Sequence, residues 1–157
     1  MNMSAEDKII KFIDKDNITK EESLELLEEF YWTDWDILNK KYPDYIEKIF
    51  VYLRKDNFSN GEIALIIKLY NNPHGAYVDE FSDIILDLYQ KDKTKFIKAL
   101  NMEKEEITNL VYLFRNHDVV IDEDEELLSI IQSAELTEEE KDTGNQFVKM
   151  YERVCNT

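Results

Sequence analysis

The residues able to do chemistry are few. The chain has two histidines, His74 and His117, and one cysteine, Cys155. Each histidine follows an apolar segment, residues 62–72 and 106–116. A fold that brought those two turns to one edge would group His74, His117 and Asp118 as a weak metal or general-base set. The commoner role of a histidine after a helix is to satisfy terminal carbonyls and complement the helix dipole. HExxH, CxxC and GxSxG are all missing, and none of the three glycines lies near another, so there is no phosphate loop. Acid pairs such as Asp79/Asp83 and Glu80/Asp83 suit glycoside chemistry by type. With 35 acidic residues in the chain, such pairs arise by number alone. No catalytic residue, bound metal or cofactor is assigned.

The densest aromatic cluster is Phe30-Tyr31-Trp32-Thr33-Asp34-Trp35, which holds both tryptophans. Such residues fill cores and also anchor interfaces. Tyr31, Trp35 and Leu38 share one helical stripe, which predicts core. Trp32 points about 100° away from Tyr31 and is the better candidate for exposure. As a partner-binding surface, the segment would use Trp32, Trp35, Asp34 and Asp36.

Residues 11–27, KFIDKDNITKEESLELL, superficially resemble an EF-hand. Counted from Asp14, the fifth position is Ile18 and the sixth is Thr19, where a calcium loop needs an oxygen ligand and a glycine. Asp122 to Glu126 fails likewise, with Leu127 and Ser133 at the sixth and twelfth positions. Thr19-Lys20-Glu21-Glu22 reads instead as a capping box that opens a helix. Ser59 to Glu62 and Thr137 to Glu140 repeat that spacing.

Periodicity predicts helices throughout. The most apolar, EIALIIKLYNN at 62–72, is echoed by EITNLVYLFRN at 106–116 with an offset of 44. Ile63, Ile66, Ile67 and Tyr70 match Ile107, Leu110, Val111 and Phe114 at i, i+3, i+4 and i+7, one face of a helix. The period resembles that of HEAT and armadillo helical hairpins; independent amphipathic helices align this way too. Further helices are expected at 5–12, from Thr19, from Pro43, at 76–90, 94–100, 125–134 and to Cys155. Tyr45, Ile46, Ile49, Phe50, Tyr52 and Leu53 make the Pro43 helix apolar over most of its surface, which predicts a central position. Asn71 to Gly75 is the clearest break. Val119 to Ile121 reads as a loop with an apolar tack into the core. Gly144 is expected to weaken the first part of the last helix.

With 157 residues and no low-complexity linker, a single all-α domain over 1–157 is expected, built from seven to nine helices as a helical-hairpin bundle or a short HEAT-like right-handed stack. Apolar runs are too short to span a membrane, and no signal peptide is visible at Met1. The lone cysteine fits the cytoplasm; an exported protein without its leader would read the same. The abundance of Lys, Ile and Asn suggests an AT-rich, bacterial genome. A net charge of −16 repels phosphate backbones and favours a basic protein partner. The leading expectation is therefore a non-catalytic interaction domain, of the kind that inhibits or confers immunity against a basic partner. The alternatives are a helical-repeat scaffold of an exported or surface-anchored protein, and an enzyme using carboxylates or the two histidines.

Overall fold

The structure is a computed structural model, and it describes residues 3–156. Among those residues it is all-helical, with no strand. Ten α-helices follow in order: α1 (Ala5–Ile13), α2 (Lys20–Trp32), α3 (Trp35–Lys41), α4 (Ile46–Leu53), α5 (Asn60–Ile66), α6 (Val78–Lys91), α7 (Lys93–Met102), α8 (Ile107–Asn116), α9 (Glu125–Gln132) and α10 (Glu138–Cys155). Three short 3-10 turns, Pro43–Tyr45, Leu69–Asn71 and Lys104–Glu106, complete them. The all-α class is the one predicted. The helices are grouped in two compact units, Met1–Ile84 and Ile85–Thr157.

Helix starts follow the caps written in the sequence. At α2, α5 and α10 the hydroxyls of Thr19, Ser59 and Thr137 accept from the backbone of Glu22, Glu62 and Glu140, whose carboxylates accept from the cap N–H in return. Each pair satisfies two donors that a helix N-terminus otherwise leaves open.

In the first unit, α2 packs on α1 and on α5. Its core is Leu26, Leu27, Phe30, Leu38, Ile49, Ile66 and Ile67, all with no exposed surface. A ring cluster of Trp35, Tyr77, Phe81 and Phe50 closes it, with edge-on Trp35 contacts of 5.5 Å to Tyr77 and 5.6 Å to Phe81. In the second unit, α10 packs on α8, α7 and α9. Tyr89, Phe96, Phe114 and Phe147 form its ring cluster, at centroid separations of 5.0 to 6.2 Å. Tyr89 donates to Asp124 at 2.6 Å, and Lys93 pairs with the same carboxylate at 2.9 Å. That carboxylate also caps α9 through Leu127 N–H, so one group ties α6, α7 and α9 together.

Several expectations change. The stripe from Tyr31 to Leu38 is not continuous, because α2 stops at Trp32 and α3 begins at Trp35. Thr33 turns to extended backbone, and its buried hydroxyl donates to buried Glu6 at 2.6 Å while Asp34 caps α3. Residues 62–72 are not one helix. After α5 ends at Ile66 the chain tightens into the 3-10 turn, whereas 107–116 is unbroken. The echoed faces are both buried, Ile66 and Leu110 completely, but each finds its main partner within its own unit: α5 on α2, α8 on α10. Helix α4 buries Ile49 and Leu53 yet leaves Val51 at 66 % exposure, so its apolar breadth reaches the surface. Gly144 is a packing requirement, since an added Cβ would lie 2.8 Å from Ile131 Cγ1 and 3.1 Å from its Cδ1. Of the expected tack, Ile121 alone is fully buried, and Val120 faces solvent.

The break at Asn71 to Gly75 is built on side-chain hydrogen bonds. Buried Asn72 donates to the carbonyls of Leu69 and Ala76, and its side-chain oxygen accepts from His74 and Ala76 N–H. The chain then passes through Gly75 and Tyr77, at φ 62° and 51°. A tyrosine in that left-handed region is strained by roughly 1–3 kcal/mol. Its ring contacts and the Asn39 amide, which donates to the Tyr77 hydroxyl at 2.6 Å, hold it there.

Two substitutions test this packing. Gly144→Ala gains about 1 kcal/mol of helix propensity and forces overpacking worth about 1–3 kcal/mol, so the urea midpoint falls. A rise would mean that Ile131 moves aside freely. Asn72→Ala leaves part-buried Ala76 groups without their side-chain partner and costs about 1–2 kcal/mol, read from the same titration.

Candidate interaction surfaces

The sequence-predicted residues separate. Trp35 lies 1 % exposed, and its indole donates to the Phe30 carbonyl at 3.1 Å. Its surroundings are core, so as a partner-binding residue it can act only by supporting α3 from beneath. Asp34 is occupied as the α3 cap, accepting from Asp36 and Ile37 N–H. Asp36 is exposed, and Trp32 is 59 % exposed. Trp32 is nonetheless fixed: its indole donates to Glu28 at 2.9 Å and its ring meets Tyr31 edge-on at 4.8 Å. Lys68 lies 5.0 Å from the Tyr31 ring and 3.7 Å from Glu28. An exposed indole held in one orientation loses little freedom on binding, which is the property of an interface anchor.

His74 lies in the Asn72 turn, and His117 follows α8, where its N–H donates to the Leu113 carbonyl at 3.2 Å. Asp118 takes φ 57° and ends α8, with its N–H on Arg115 and the next N–H on Phe114. All three are exposed, and the hydrogen bonds named here use their backbone N–H groups, not their side chains. Among the described residues no group of three His, Cys, Asp or Glu side chains is arranged to hold a metal ion, so His74, His117 and Asp118 form no such set. No described helix is long and apolar enough to cross a membrane.

A groove of about 830 Å³ lies in the first unit, between the end of α1, the 14–18 loop and α4. Its apolar lining is Phe12, Ile13, Ile18, Val51 and Tyr52. Its carboxylates are Asp14, Asp16, Asp44 and Glu47, and its ammoniums Lys15, Lys48 and Lys55. The ammoniums are turned to internal partners. Lys15 pairs with Glu22, Lys48 sits 4.6 Å from the Tyr45 ring, and Lys55 sits 4.8 Å from Tyr52 and 4.9 Å from Phe58. Asp14 accepts from the Tyr45 hydroxyl at 2.9 Å. The side chains of Asp16, Asp44 and Glu47 have no hydrogen bond or ion pair among the described residues. The groove thus presents an apolar floor and a small excess of negative charge, four carboxylates against three ammoniums. Sequence reading missed it because its two walls are far apart in the chain. The one legible sign was Val51, an apolar residue off the buried stripe of α4.

Several carboxylates are held below their ordinary range. Burial pushes Glu62 up, but hydrogen bonds from Ser23 and from Ser59 outweigh it. Burial likewise opposes, and Tyr89, Lys93 and Leu127 N–H overcome, at Asp124. Both therefore add stability that is complete above the ordinary carboxylate value. That stability is lost as pH falls through the lower folded-state value. The thermal midpoint is expected to hold steady down to about pH 5 and to drop below about pH 4. Asp124→Asn, which lacks the titrating group, should flatten part of that drop; an unchanged pH profile in this variant would exclude Asp124 as a source of it.

No known protein family, curated protein or solved structure matches the chain, so its own residues carry the functional reading.

Proposed function

We propose that this chain is a non-catalytic interaction domain, acting in the cytoplasm as an inhibitor- or immunity-type protein, whose first unit binds a basic segment of another protein. The observation that carries the reading is the groove floored by Val51, in which Asp16, Asp44 and Glu47 stand unpaired while each lysine is engaged elsewhere. A lysine- or arginine-bearing segment would answer those carboxylates and cover Val51. Exposed ion pairs contribute only about 0.2–1 kcal/mol each, so the apolar floor supplies much of the affinity and the charges supply encounter rate and selectivity. The net charge of −16 extends that attraction beyond the groove. Neither His74 nor His117 lines the groove, which supports binding over catalysis there.

A second reading, a helical scaffold, is favoured by one correspondence. Tyr42 and Glu103 share backbone angles, φ −137° and ψ 57° against −136° and 54°. Each leads through a 3-10 turn into an apolar helix, α4 or α8. Asn57 and Asp118 follow those helices with φ 69° and 57°. The offset is 61 (103 − 42 and 118 − 57), a spacing that the 44-residue echo hides. A scaffold built on such units would associate through apolar faces and show weak salt dependence.

The two readings separate in one titration. A synthetic peptide alternating lysine with leucine is the probe, followed by calorimetry at low and high salt. The groove reading expects Asp44→Lys/Glu47→Lys to weaken binding by about tenfold or more, and salt to do the same. Binding that ignores both changes would overturn it.

A further inference from the structure

The second unit carries a cleft of opposite sign. It is about 300 Å³ in volume, lies between α8 and α10, and is lined by Lys104, Ile107, Thr108, Gln146, Lys149, Met150 and Arg153. Three cations and no carboxylate line it, in a chain with 35 acidic and 19 basic residues. Of the three lining cations, Lys104 is paired with Glu139 at 2.7 Å; elsewhere around α10, Lys98 pairs with Glu140 at 2.9 Å and Lys141 with Glu138 at 3.4 Å. Lys149 and Arg153 are exposed, and their side chains have no hydrogen bond or ion pair among the described residues.

Fold stability does not account for this pair. Arg153 lies in the last turn of α10, where a cation complements the helix dipole. That effect fades within one turn, and Lys149 lies earlier. Like charges four residues apart on a helix repel by roughly 0.2–0.5 kcal/mol, so placing Lys149 above Arg153 has a small cost. Acidic residues abound elsewhere in the chain, yet none closes the pair.

We infer that this cleft binds an acidic peptide segment of another protein, with carboxylates on Lys149 and Arg153 and an apolar side chain against Met150 and Ile107. The half-buried Met150 is an adaptable surface for such a side chain. A nucleic-acid strand fits less well, because the lining offers no aromatic ring for base stacking and a long polyanion would run into the surrounding negative field. A short acidic segment meets less of that field than a long polyanion, since charges beyond about 8 Å are largely screened at physiological salt. The inference is independent of the groove in the first unit.

The test uses the full chain labelled with nitrogen-15 and an acetylated, amidated peptide, Glu-Leu-Glu-Glu. A Gln-Leu-Gln-Gln control and a single-stranded oligothymidylate are titrated beside it. The expected result is saturable amide shifts confined to residues 104–108 and 146–153 with the acidic peptide alone. Lys149→Glu/Arg153→Glu should weaken binding by about tenfold or more. Lys141→Glu, on the same helix outside the cleft, should leave it unchanged. If the reversed variant fails to fold, Lys149→Gln/Arg153→Gln reads the same loss. Non-saturable shifts, equal shifts with the glutamine control, tighter binding of the oligonucleotide, or full binding by the neutral variant would each overturn the inference.

Discussion

The constraint on which this molecule depends is where a chain with 16 surplus negative charges can put its carboxylates. Helix N-termini are the favourable sites, because open N–H groups and the helix dipole both attract an anion. The chain uses them repeatedly. Glu22, Glu62 and Glu140 close capping boxes, and Asp34, Asp92 and Asp124 cap α3, α7 and α9 directly. In these positions negative charge starts helices instead of opposing compaction. Four of them also hold a second partner: Glu22 pairs with Lys15 and Glu140 with Lys98, and the other two reach further groups. Glu62 also accepts from Ser23 on α2, and Asp124 gathers Tyr89 and Lys93. The same carboxylate that begins a helix therefore fixes which neighbours it packs against.

Charge that is not spent on caps defines the outer surface. In the first unit the lysines beside the 14–18 loop and α4 turn toward Glu22 and toward tyrosine rings, and the acids between them are left facing solvent. In the second unit the acids at the start of α10 take up nearby lysines, and Lys149 and Arg153 further along remain open. Each unit thus carries a concavity whose sign follows from which charges its own helices have already engaged. Trp32 adds an exposed ring set firmly by Glu28 and Tyr31.

Local chemistry made much of the fold legible. The three S/T-x-x-E capping boxes and the buried face of Ile63, Ile66 and Ile67 follow directly from spacing. The errors arose where a tertiary partner overrode a local pattern. Tyr31, Trp35 and Leu38 have helical spacing, but Thr33 leaves the helix to reach buried Glu6. The segment 62–72 has helical periodicity, but the run of Ile and Leu yields to a 3-10 turn that ends in the Asn72 network. Gly144 looked like a flaw because Ile131 was not yet its neighbour. The site residues were harder still. Trp32 was legible as exposed by its angle from Tyr31, whereas both concavities join residues from distant helices and had no contiguous signature.

Tyr77 links backbone and core in one further way. Its left-handed conformation is unfavourable in isolation and persists because Trp35, Phe50 and Phe81 enclose the ring. The turn and the ring cluster therefore cannot melt separately. Release of any one ring frees a backbone that prefers another basin, and return requires the whole set to reassemble. That coupling makes the 72–81 segment a cooperative latch, and its amides should exchange with solvent as a group rather than fraying one at a time.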